Sequence, residues 1–133
     1  MKNIILFVSL MFLITSCATT VKFPVSELTP ASDITAKIKK DKQDNYVITI
    51  KAKYLASPER LLPPKQIYVV WMDTRKNGIN NIGQLKVKNA QKSSLETLTA
   101  FEPVEIFITA EDEGTISAPA GMEITRTYVK TKK

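Results

Sequence analysis

The chain has 133 residues, with 19 Lys and Arg against 13 Asp and Glu, one cysteine and no histidine. The missing imidazole removes the side chain best suited to proton transfer near neutral pH and the commonest zinc ligand. A lone thiol excludes an intramolecular disulfide, and four isolated glycines (Gly78, Gly83, Gly114 and Gly121) make no glycine-rich phosphate loop.

The chain opens MKNIILFVSLMFLITS, in which Lys2 precedes an apolar run of eleven residues from Ile4 to Ile14, broken only by Ser9. That is the layout of an export signal, and it falls short of the roughly 20 residues that span a bilayer. Ile14-Thr15-Ser16-Cys17 then gives an aliphatic residue, two small residues and the only cysteine. This pattern resembles the lipobox of bacterial lipoproteins. The resemblance implies a diacylglycerol thioether on Cys17, cleavage before it and acylation of the new amino terminus. Two or more acyl chains anchor a protein stably where one does not. A signal peptide over 1–16 is therefore expected, followed by a mature chain of 117 residues, enough for one domain. Removing Lys2 leaves a positive surplus of five, which favours anionic surroundings. A solvated basic surface that aids solubility accounts for the same charge more plainly.

Residues 17–33 carry Pro24 and Pro30 and read as the lipidated cysteine and a flexible tether, with at most one edge strand. From Ile34 the period becomes two. Ile34, Ala36 and Ile38 alternate with Thr35, Lys37 and Lys39. After the polar stretch KKDKQDN, Tyr46, Ile48, Ile50, Ala52 and Tyr54 alternate with Thr49, Lys51 and Lys53. This predicts a hairpin with one lysine-lined wet face, and lysines of that kind also protect exposed strand edges. SPERLLPPK is a loop. QIYVVWMDT is apolar on both faces and belongs in the middle of a sandwich. Asn77-Gly78 marks a turn. NIGQLKVK, SSLETLTA, PVEIFITAE and MEITRTYVK supply the remaining strands. The expected fold is an all-β, antiparallel, immunoglobulin-like β-sandwich of about seven strands over 34–133, with a closed barrel as the second choice.

Few residues offer chemistry. With Cys17 acylated there is no free thiolate. Ser93 and Ser94 with a lysine would make a dyad, but no spacing recommends one. Glu111-Asp112-Glu113 is an acidic cluster without the alternating spacing of a calcium loop. Asp73 and Glu111, both at strand ends, are the pair to consider for carboxylate-based hydrolysis, should the fold bring them together in a cleft. Trp71, Tyr68 and Phe107 would stack a sugar only if a ring were exposed, and core packing explains them better. No catalytic residue, metal site or cofactor is expected.

From Tyr68 to Gly121 the residues Tyr68, Trp71, Gly83, Thr109, Glu111, Pro119 and Gly121 form a cadence that resembles the extracytoplasmic domain of anti-sigma-K-type factors. That resemblance implies a β-sandwich and says little about activity. It departs from those proteins in having a lipidated cysteine in place of a transmembrane helix and a cytoplasmic helical domain, so sigma-factor binding is not expected. The expectation is a non-enzymatic lipoprotein of the bacterial envelope, anchored through acyl chains on Cys17. It would face the periplasm from the outer membrane and bind a protein or an anionic envelope polymer, not nucleic acid. The rival expectation is a carboxylate-based hydrolase or a carrier of a small lipid.

Overall fold

The structure is a computed structural model and describes residues 18–89 and 91–129. Cys17 and the leader lie outside the described residues. Nine strands build two antiparallel sheets. They are β1 (Ala18–Lys22), β2 (Asp33–Lys40), β3 (Tyr46–Lys53), β4 (Ile67–Thr74), β5 (Gly78–Gln84), β6 (Lys86–Asn89), β7 (Lys92–Thr99), β8 (Glu105–Glu111) and β9 (Met122–Tyr128). One sheet runs β1-β2-β3-β7-β6 and the other β5-β4-β8-β9. With β1 set aside, this is the strand order of an immunoglobulin-type sandwich, and β1 adds an edge to it. The expected β-sandwich is what the chain forms.

Alternation sets the core. Ile34, Ala36 and Ile38 of β2 and Ile48, Ile50 and Ala52 of β3 are each no more than 5% exposed. They face Tyr68, Val70 and Met72 of β4, Ile106, Ile108 and Ala110 of β8, and Ile124 of β9. Across β2 and β3 the register sets Ile34 beside Ala52, Ala36 beside Ile50 and Ile38 beside Ile48, so in two of the three inward pairs a small residue meets a large one. Truncating one of these isoleucines to alanine costs about 2–5 kcal/mol, from lost transfer energy and the cavity left behind.

The sequence reading needs three corrections. Residues 18–33 are not a flexible tether. Ala18–Lys22 forms β1 along β2, the Phe23 amide donates to the Ile34 carbonyl at 2.9 Å, and Phe23 and Thr29 are buried. Phe23 joins the main core and Thr125 Oγ1 donates to the Pro24 carbonyl at 2.8 Å, so this segment is part of the domain. The prolines end β1 but do not free the chain. NIGQLKVK is not one strand either. Leu85 is buried, its amide donates to the Tyr68 carbonyl at 3.0 Å, and the chain passes there from the four-stranded sheet into the five-stranded one. Gly83, at φ +130, makes the irregular backbone that precedes the crossing. Finally, β4 is apolar on both faces but no second sheet covers its outer side. The 112–121 loop does, with Ile116 packed against Val69, Trp71 and Phe107.

The turn expected at Asn77-Gly78 forms, with Gly78 at φ +65 and the Asn77 amide donating to Thr74 Oγ1 at 2.8 Å. In the β2–β3 hairpin Asp41 Oδ1 accepts the amides of Gln43 at 2.8 Å and Asn45 at 2.9 Å, a local bond pattern that turns the chain.

Candidate functional site

On the outer side of the β4–β8 pair, Trp71 and Phe107 stand opposite each other in register, with ring centroids 6.2 Å apart and planes within 16°. Both are buried, and the Arg126 guanidinium lies over the free face of Phe107, 4.1 Å from its centroid. A buried indole N–H needs an acceptor. Trp71 Nε1 donates to Thr109 Oγ1 at 2.8 Å, and the Thr109 hydroxyl donates in turn to Glu111 Oε1, also at 2.8 Å. The same carboxylate oxygen accepts the amides of Ala120 at 3.0 Å and Gly121 at 2.8 Å. Asn81 Nδ2 donates to the carbonyls of Gly114 and Ile116 at 2.8 and 2.9 Å. The loop is thus tied down at both ends over the aromatic pair.

Gly121 must be glycine for steric reasons. A Cβ there would sit 1.8 Å from the Ala110 carbonyl oxygen. Of the seven cadence residues, Trp71, Thr109, Glu111 and Gly121 therefore belong to one hydrogen-bonded latch. Tyr68 packs in the main core on the opposite face of β4, its hydroxyl donating to the Ala56 carbonyl at 2.5 Å. Burial pushes its phenol pKa up to about 12. Trp71, Tyr68 and Phe107 are all buried, as the preference for core packing over sugar stacking expected.

The carboxylates are not brought together. In the β4–β8 register Asp73 pairs with Glu105, whereas Glu111 pairs with Ile67 at the opposite end. Six residues separate Asp73 from the Glu111 row, roughly 20 Å of strand. Glu111 is also 2% exposed, and its Oε1 is taken up by three hydrogen bonds of the latch. Antiparallel pairing puts the end of one strand beside the start of the other, so Asp73 and Glu111 lie at opposite ends of the β4–β8 pair and do not meet in a cleft. Asp112 and Glu113 point to solvent, Asp112 pairing with Lys65 at 3.4 Å. Among the described residues no group of three or more acidic or cysteine side chains could hold a metal ion.

The cation in the strands of the four-stranded sheet, Arg126, is balanced. Arg126 reaches Glu105 at 3.0 Å and takes Glu123 through its Nε at 2.9 Å. Its pKa is held up first by the Glu123 hydrogen bond, against the lowering effect of burial. The outer face of the five-stranded sheet is different. It carries Lys22, Lys37, Lys39, Lys51, Lys53, Lys86 and Lys92, all exposed, and only two carboxylates, Asp33 and Glu96. Ser94, considered above for a dyad, lies in one cross-strand row between Lys51 and Lys86.

A cleft of about 280 Å³ opens where the chain changes sheets. Leu55, Ile67, Tyr68, Leu85 and Val87 line it, with Lys92 and Ser93 on its rim. No local pattern pointed to it, because the cleft exists only through the crossing at Leu85 and the loop after β3. The exposed Val87, 77% accessible on a four-residue edge strand, is the one residue that could have pointed there.

Comparison of the chain with protein-family models, with curated proteins and with solved structures finds no match. No helix among the described residues is long and apolar enough to cross a membrane.

Proposed function

We propose that this chain is a lipid-anchored lipoprotein of the bacterial envelope. Its β-sandwich acts without catalysis, binding a protein or an anionic envelope polymer. The reading is supported above all by the lysine-rich face on interior strands of a sheet. In the sequence those lysines were explained as edge protection, yet β2 and β3 are flanked by β1 and β7 and have no edge to protect. The anchor rests on the lipobox-like Ile14-Thr15-Ser16-Cys17 behind an apolar leader. The acidic and aromatic side chains most suited to chemistry are spent on the latch that closes the outer face of β4 and β8, which favours binding over catalysis.

The test is mass spectrometry of the chain isolated from its own envelope, followed by crosslinking in the envelope. A mature chain starting at an acylated Cys17 and crosslinked to an envelope component is the expected result. An intact leader with a free thiol refutes the anchor. A second reading, a carrier for a small apolar molecule, is favoured by the cleft at Leu55, Tyr68 and Leu85. Its volume lies just under the usual range for ligand pockets, about 300–1,000 Å³. Co-purification of a small lipid that is lost on widening Ala56 to Trp is the outcome that distinguishes it.

A further inference from the structure

The charges of the five-stranded sheet are arranged in rows. Reading across the strands, Lys22, Thr35, Lys51, Ser94 and Lys86 face outward in one register line. The next line holds Thr20, Lys37, Thr49 and Glu96, and the one beyond it Ala18, Lys39, Val47 and Leu98. At the other end Asp33, Lys53 and Lys92 share a line, with Lys53 directly opposite Lys92. Like charges in that position repel, and neighbouring strands are only about 4.8 Å apart. Lys22 has Asp33 at 3.8 Å. The remaining lysines far outnumber Glu96. The hydroxyls between them can donate to the same anionic oxygens that the ammonium groups attract. The arrangement is complete as a receptor for an external array of negative charge.

We infer that this face docks flat on an anionic lipid bilayer, with its lysines against the headgroup phosphates. The inference rests on the lipid-anchored reading above and adds the surface and its orientation. Ala18 stands in an outward-facing row beside Lys39, and Cys17 is the residue before it. Acyl chains on that cysteine would be joined to the residue next to Ala18, which ends the edge strand at one corner of the lysine face. A strand of eight residues is about 25 Å long and exposed charges act over a Debye length of about 10 Å, so the far lysines reach the headgroups only when the face lies flat on the surface.

The test uses the full chain carrying its acyl groups, placed on vesicles of phosphatidylcholine alone or with phosphatidylglycerol added. Lysine reactivity toward an acetylating reagent is read residue by residue by mass spectrometry. Lys37, Lys51, Lys53 and Lys92 should react about fivefold more slowly when phosphatidylglycerol is present, each lysine near an anionic surface gaining appreciably from it. Lys76, in the turn before β5, should not change, and high salt should abolish the difference. Lys37→Glu, Lys51→Glu and Lys53→Glu together should remove the protection of Lys92, and all three positions are solvent-exposed. Equal reactivity on the two vesicles overturns the inference. So does protection that appears only with an added polyanionic polymer or an envelope protein, which would assign the face to that partner. The mass of the Cys17 peptide from the same sample separates the two failures. A bare thiol sinks the anchored reading, while unchanged reactivity on an acylated chain sinks the docking alone.

Discussion

The latch over Trp71 predicts how much of the domain's stability sits in one carboxylate. Glu111 Oε1 accepts three hydrogen bonds, from Thr109 Oγ1, the Ala120 amide and the Gly121 amide, at 2.8, 3.0 and 2.8 Å. Hydrogen bonds to a charged group contribute about 1.5–3 kcal/mol each. They are not additive here, since on truncation the two amides can reach water as the loop lifts. Glu111→Ala should therefore cost about 3–5 kcal/mol, a large share of the 5–15 kcal/mol that holds a domain of this size. Glu111→Gln keeps the shape and an acceptor oxygen but loses the charge, and should cost about 1–2 kcal/mol. Trp71 is the only tryptophan and is fully buried, so its emission reports both unfolding and the state of the loop. In urea, with slopes of about 1–3 kcal/mol per molar, the Glu111→Ala midpoint should fall by more than 1 M. The native emission should also shift to the red, because lifting the loop wets the indole. A loss below about 1 kcal/mol with unchanged native emission would show that the latch contributes little.

Gly121→Ala should be at least as damaging as Glu111→Ala, because its Cβ would overlap the Ala110 carbonyl and the loop cannot close. Loss of Trp71 burial in the folded variant checks it. Arg126→Met should cost about 2–4 kcal/mol, since it strands the buried Glu105 and removes the cation over Phe107. Adding Glu105→Gln should recover part of that loss, measured as a double-mutant cycle in urea. For Tyr68 the sign follows from its raised pKa. The folded state keeps the phenolic proton that the unfolded chain releases near pH 10, so stability falls as pH rises from about 10 to about 12. Tyr68→Phe should flatten that limb of a pH–stability curve. At neutral pH it should cost about 1 kcal/mol for the hydrogen bond to Ala56.

Some of this was legible beforehand. The two-residue period of Ile34–Lys39 and Tyr46–Lys53 set which side chains go inward, because a pleated strand leaves no alternative once its apolar set is on one side. The doubly apolar QIYVVWMDT correctly required cover on both faces. The nature of that cover was not readable, since Ile116 comes from a polar loop some 40 residues later. The Asp73–Glu111 pairing failed for a related reason. Position near a strand end says nothing about which end of the sheet the residue occupies, and only the antiparallel register decides it. The prolines of 23–33 marked the end of β1 correctly, but proline restrains a backbone without preventing its neighbours, such as Phe23, from packing.

The amino-acid sequence on its own determined the class of fold and the inward and outward sides of β2 and β3, because alternation of apolar and polar residues is a local property. It also carried the apolar leader and the lone thiol behind it. Tertiary structure alone decided that Trp71, Thr109, Glu111 and Gly121 form one latch. It also set the lysines of β1, β2, β3, β6 and β7 side by side on one plane. Both depend on pairing between segments far apart in the chain, which is fixed by register and by the crossing at Leu85, neither of which a local pattern encodes.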